Sequence, residues 1–246
     1  MLYCLYAYAL FIACMLLIFP LAVIASFWGK VSGGNFIYKL CHFWTDTWLL
    51  LIGISHRNIF ESAPGKDKQY IFIANHISYL DIPIIFKTIR KRSIRVLGKA
   101  EMKKVPIFGF IYSRGAVMVD RTDAEQRAKS VRHLKSILRK GISIFIYPEG
   151  TFNETGQPLK EFYDGAFRIA IETKTPIIPI LFLDTYDRMN YKTIFSLNPG
   201  PSRAVFLDEV GVEEYSLKEV TALKNKVYKQ MEKKLLEYGA GWIERR

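Results

Sequence analysis

Residues 75–81 read NHISYLD, directly after the apolar run YIFIA at 70–74. His76 and Asp81 are the pair in this stretch suited to proton transfer, an imidazole that can act as a general base and a carboxylate that can orient it. Five positions along one regular helix leave two side chains about 140° apart, so the pair cannot meet there. They meet only if His76 occupies a turn after a strand and Asp81 the first turn of the helix behind it, just before Pro83. That places both at the carboxyl end of a strand, where α/β sheets put their sites. A plain turn with Asp81 as a helix cap fits the same residues. This stretch alone leaves both readings open.

Two further polar groups follow apolar runs. In YPEGT (147–151) Gly150 allows close backbone approach and Glu149 can accept hydrogen bonds from substrate hydroxyls, although an ordinary polar turn reads the same way. In GAVMVDR (115–121) Arg121 ends a run and is suited to bidentate phosphate binding, although a surface ion pair would also account for it. Three such ends, each after a separate run, favour a shared site over three coincidences. The remaining histidines, His42, His56 and His133, lie away from this pattern. The cysteines, Cys4, Cys14 and Cys41, precede the polar region, which excludes a thiol nucleophile there and implies no disulfide framework. H-E-x-x-H, paired-cysteine, G-x-S-x-G and Walker spacings are absent.

The elements that would hold these groups alternate in character. YIFIA (70–74), SIRVLG (93–98), AVMV (116–119), ISIFIY (142–147), IIPILF (177–182) and AVFLD (204–208) read as strands, several without polar alternation and so buried on both faces. TDAE (122–125) and SLKE (216–219) are capping boxes, the first opening a helix that Gly141 closes and the second a basic helix reaching about Tyr238. The fold class that follows is α/β, with a central mixed, mostly parallel sheet flanked by helices. Residues 1–29 carry no charged side chain, and the net charge of +12 falls almost entirely after residue 54. The first segment is long enough to cross a bilayer. The second, FIYKLCHFWTDTWLLLIGI, spaces Lys39, His42 and Asp46 as the polar stripe of an interfacial helix. The expectation is a hydrophobic two-helix membrane motif over 1–56 and an α/β domain over 57–246, on the cytoplasmic face because Lys30 and Lys39 follow the first segment. Membrane lipids are the expected partners. No nucleic-acid motif appears.

Four blocks in order then resemble the glycerolipid acyltransferase family, in particular the 1-acyl-glycerol-3-phosphate acyltransferases. NHISYLD resembles its N-H-x-x-x-x-D block, VPIFGF (105–110) with GAVMVDR its second, YPEGT its F-P-E-G-T block and TPIIPI (175–180) its fourth. The resemblance implies acyl transfer from acyl-CoA or acyl carrier protein to the free hydroxyl of lysophosphatidate, with no cofactor and no metal. It makes His76 the general base, Asp81 its orienting partner and Arg121 the acceptor's phosphate ligand. Glu149, Gly150 and Thr151 then line the acceptor site, and Lys99 stands where the family tends to be basic. Phe152 and Asn153 depart from the family's usual E-G-T-R-S, and Tyr163 and Asp164 stand where lysines are common. Another lysophospholipid or lyso-aminolipid acceptor, or a membrane lipid esterase, are the alternatives.

Overall fold

The structure, a computed structural model, describes residues 1–119 and 124–244. It opens with two helices, α1 (Leu2–Ser26) and α2 (Ser32–Leu51). Every face of α1 is apolar, so periodicity cannot say which face packs. The buried stripe is Cys4, Ala7, Met15, Ile18, Ala22 and Ala25, rich in small side chains that admit a close neighbour. At the turn between the helices a Cβ on Gly33 would stand 2.1 Å from the Ala25 carbonyl oxygen, so only glycine fits. The Trp48 indole donates to the Ala7 carbonyl at 2.8 Å. The other side of α1 leaves Leu5, Ile12, Leu16, Leu17, Leu21 and Ile24 exposed. Helix α1 continues through Pro20 and is, among the described residues, the one helix long and apolar enough to cross a membrane.

Two of the three residues in the polar stripe of α2, His42 and Asp46, bond to groups of the protein itself, while Lys39 is exposed. His42 Nδ1 lies 2.6 Å from the Phe86 carbonyl oxygen. Asp46 accepts from Lys87 Nζ and from both terminal nitrogens of Arg90, each at 2.7 Å. Spacing alone shows such a stripe but not what it faces.

Seven strands follow among the described residues: β1 (Ile54–Phe60), β2 (Ile71–Ala74), β3 (Ile94–Lys99), β4 (Ala116–Val119), β5 (Ser143–Ile146), β6 (Ile177–Phe182) and β7 (Gly200–Phe206). Their order in the sheet is β1-β7-β6-β2-β5-β3-β4. Pairs β2/β6 and β3/β4 are parallel and β6/β7 antiparallel, so the sheet is mixed. The helices between them are α3 (Asp81–Thr88), α4 (Phe108–Gly115), α5 (Ala124–Leu138), α6 (Gly165–Thr173) and α7 (Thr185–Arg188), and α8 (Val220–Glu237) follows β7. The six apolar runs are β2 to β7. Strand β1 carries no sequence signal of this kind, because ISHRNIF has no apolar run and buries only Ile54 fully. It stands at the end of the sheet order, where polar side chains on an edge strand discourage pairing with other chains.

The chain forms two compact units, residues 1–55 with 82–144, and residues 56–81 with 145–246. In the first, α5 ends as expected at Gly141, whose φ of +75° lets Ile142 N–H return to the Ile137 carbonyl. Thr122 and Asp123 of the expected capping box lie outside the described residues. In the second unit Ser216 and Glu219 form their capping box and α8 follows it. The core of this unit includes Phe72, Ile73, Phe167, Phe182, Leu223 and Val227, all buried to within 1%.

Candidate active site

Strand β2 ends at Ala74, and Asn75 takes over its pairing. The Asn75 amide donates to the Phe182 carbonyl at 3.0 Å while its oxygen accepts from Phe182 N–H at 2.8 Å. A side chain thus imitates one more rung of the β2/β6 ladder and fixes where the following turn begins. In that turn Asp81 Oδ2 accepts from Ile77 N–H at 2.7 Å and Ser78 N–H at 2.9 Å. The same oxygen accepts from His76 Nδ1 at 2.8 Å. Ser78 adds two local ties, its hydroxyl accepting from Leu80 N–H and donating to the Met189 carbonyl. The turn and the imidazole–carboxylate pair are therefore one construction, with a single fully buried carboxylate organising both. Because a carboxylate oxygen only accepts, Nδ1 carries the hydrogen and Nε2 is left as the basic nitrogen.

The backbone of His76 is held at both ends by the segment that follows β5. Its N–H donates to Glu149 Oε1 and its carbonyl accepts from Asn153 N–H, both at 2.8 Å. Glu149 Oε2 accepts from Lys160 N–H at 2.8 Å, so each oxygen of this fully buried carboxylate meets a backbone donor. Burial pushes its pKa up to about 8, against the two N–H donors, which favour the charged form. The turn that carries Glu149 is closed by Gly150 N–H to the Tyr147 carbonyl at 3.1 Å. Pro148 presets its second position, and Gly150 has a φ of +76° that suits glycine.

Aromatic rings bound the imidazole. Tyr147 stacks on it with ring centroids 4.0 Å apart, and Phe152 meets it edge-on at 4.5 Å. The Tyr147 hydroxyl donates to the Asp81 carbonyl at 3.2 Å, and burial keeps its pKa well above the ordinary range. The His76 side chain remains 15% exposed.

Of the residues singled out from the sequence, His76, Asp81 and Glu149 are joined by direct hydrogen bonds, and Gly150 shapes the turn beside them. Thr151 is exposed and its hydroxyl accepts from Lys160 Nζ at 2.9 Å. Lys99 ends β3 with an exposed side chain whose Nζ lies 3.7 Å from Glu101. Arg121 lies outside the described residues. Asn75, Tyr147, Asn153 and Lys160 join the site in the structure without having been singled out by residue type or spacing. For Asn75 a signal existed, an amide side chain at the first position after a buried strand. For the others the information is tertiary. Among the described residues no group of three or more His, Cys, Asp or Glu side chains is placed to hold a metal ion.

Comparisons with known proteins bear on the family and the fold. A model of the acyltransferase family matches residues 56–183. The 1-acyl-sn-glycerol-3-phosphate acyltransferase of Haemophilus influenzae is 28% identical over 233 residues, 93% of each chain. Its counterpart in Salmonella typhimurium is 32% identical over 190 residues, 74% of each. The chain also matches the chloroplastic protein BAT2 of Brassica napus at 30% identity, but spans only 42% of that relative's length. In fold it is similar to the crystal structure of the 1-acyl-sn-glycerophosphate (LPA) acyltransferase PlsC from Thermotoga maritima. The TM-score is 0.78 at 20% identity, covering 99% of this chain and 97% of the other. With the family match extending over half of its length, this chain belongs to the acyltransferase family.

Proposed function

We propose that the protein is a 1-acylglycerol-3-phosphate O-acyltransferase. It moves an acyl group from the thioester of acyl-CoA or acyl carrier protein to the free hydroxyl of lysophosphatidate, forming phosphatidate. The observation that carries this reading is the 2.8 Å contact from His76 Nδ1 to Asp81 Oδ2, which leaves Nε2 as the base. The names of the bacterial relatives support the choice of acceptor. In the step proposed, Nε2 takes the hydroxyl proton as the oxygen attacks the thioester carbonyl carbon. The C–S bond breaks as the ester forms, and the imidazolium returns the proton to the departing thiolate. Asp81 stabilises the imidazolium while it exists. Arg121 is proposed to bind the acceptor's phosphate and Lys99 to add positive charge. The test is to supply purified protein with lysophosphatidate and acyl-CoA and identify the product by mass. One phosphatidate per thiol released is expected. Thiol release that ignores the acceptor would make the protein a thioester or lipid hydrolase instead.

The exposed apolar side of α1 is proposed to hold the protein in the membrane, with Lys30 and the basic remainder facing the cytoplasmic leaflet. Leu17 is 66% exposed and Leu21 47%, so charges there disturb little inside the protein. Leu17→Asp with Leu21→Asp costs membrane insertion about 2.5–3.5 kcal/mol per residue. The variant should move from the sedimenting membrane fraction to the supernatant with an unchanged circular dichroism spectrum. Sedimentation like the wild type would remove α1 as the anchor.

A further inference from the structure

We propose that Phe152 keeps water from the thioester at His76 and thereby sets the ratio of acyl transfer to hydrolysis. The proposal rests on the acyl-transfer reading above. Nothing in the His76–Asp81 pair distinguishes an acceptor hydroxyl from water, since Nε2 can take a proton from either. If water attacks, its oxygen bonds the carbonyl carbon, the C–S bond breaks, and a free fatty acid leaves with the thiol. Discrimination must come from what surrounds the imidazole.

Those surroundings are aromatic on an unbroken path. From His76 the rings run to Phe152 at 4.5 Å, from Phe152 to Tyr79 at 4.8 Å and to Tyr191 at 6.3 Å, and from Tyr191 to Tyr186 at 5.7 Å. Tyr79 is 47% exposed at the outer edge of this path, whereas His76 is 15% exposed at its inner end. Phe152 is half-buried and joins the two. It cannot easily swing aside, because both neighbours are tied. Thr151 accepts from Lys160 Nζ at 2.9 Å, and Asn153 N–H donates to the His76 carbonyl at 2.8 Å. An apolar ring fixed against a base excludes water while tolerating an acyl chain.

The experiment uses full-length protein with radiolabelled acyl-CoA, with and without lysophosphatidate, and resolves the label between phosphatidate and free fatty acid. Phe152→Ala should raise the free-acid share at least tenfold, and Phe152→Tyr, which keeps the ring, should restore the wild-type split. Tyr79→Ala removes an exposed ring behind Phe152 and should shift the split in the same direction by less. It decides the matter if Phe152→Ala fails to fold, an unchanged split then overturning the proposal. Transfer and hydrolysis falling together at a constant split would also overturn it, reducing Phe152 to a prop for the imidazole. Failure of the underlying reading looks different, since the wild type would then form no phosphatidate at all.

Discussion

Replacing His76 by alanine should lower the rate of acyl transfer about 10²–10⁴-fold, the usual worth of a positioned general base. The fold should survive, because among the described residues the imidazole's hydrogen bond is the one to Asp81, while the backbone of His76 carries the ties to Glu149 and Asn153. Alanine keeps both backbone ties. Asp81→Asn should cost less. The amide oxygen can still collect the Ile77 and Ser78 N–H groups, and the new NH₂ falls where Oδ1 now has no partner among the described residues. What is lost is the negative charge beside the imidazolium. Single-turnover kinetics on both variants provide the measurement, and near-normal turnover in His76→Ala would sink the mechanism.

Glu149→Gln should destabilise the protein by about 1–3 kcal/mol, the cost of leaving a buried donor unsatisfied. Glutamine has one acceptor oxygen where Glu149 uses two, so its NH₂ must confront either His76 N–H or Lys160 N–H. Activity should fall as well, by roughly 10²-fold if the turn carrying His76 moves by about 1 Å. The effect should be on kcat, with the KM of lysophosphatidate little changed. A variant of normal stability with only that KM raised would show Glu149 touching the acceptor instead, as its residue type first suggests.

The same carboxylate carries a pH signature. Its pKa rises from 4.5 to about 8 on folding, so the folded state holds the proton more tightly than the unfolded chain. Its stabilising contribution is complete below about pH 4.5 and is lost as pH rises to about 8. The stability gap between wild type and Glu149→Gln, read by urea unfolding, should therefore narrow from pH 5 to pH 8.5. A constant gap would count against the raised value.

Comparing residues shows what a one-dimensional reading reaches. His76 and Asp81 could be paired from spacing because both belong to one turn, five positions apart, and strand and helix geometry dictate how such a turn must lie. Strands β2 to β7 could be read because each is an apolar run, and β1 could not because an edge strand needs none. Helix α1 was visible as an apolar segment, but its buried stripe was not, since all of its faces are apolar. The role of Glu149 was hidden for another reason. Its residue type suggests a ligand for substrate hydroxyls, and only tertiary structure shows that each of its oxygens also accepts a backbone N–H, from His76 and from Lys160. Tyr147 and Phe152 likewise gain meaning from where the rings come to rest.

The clamp on His76 also sets an order of events during synthesis. His76 and Asp81 leave the ribosome almost together, but Glu149 follows His76 by 73 residues. At about 5–20 residues per second that is a delay of roughly 4–15 s. Strand β2 waits longer still for β6, with which Ile71 pairs at Ile177. Through this interval the nascent chain presents an uncovered apolar strand and a half-built turn, after α1 has already emerged. The ties that fix the His76 turn are then supplied by segments made after it. A nascent chain arrested before residue 149 would lack the carboxylate that holds the His76 N–H.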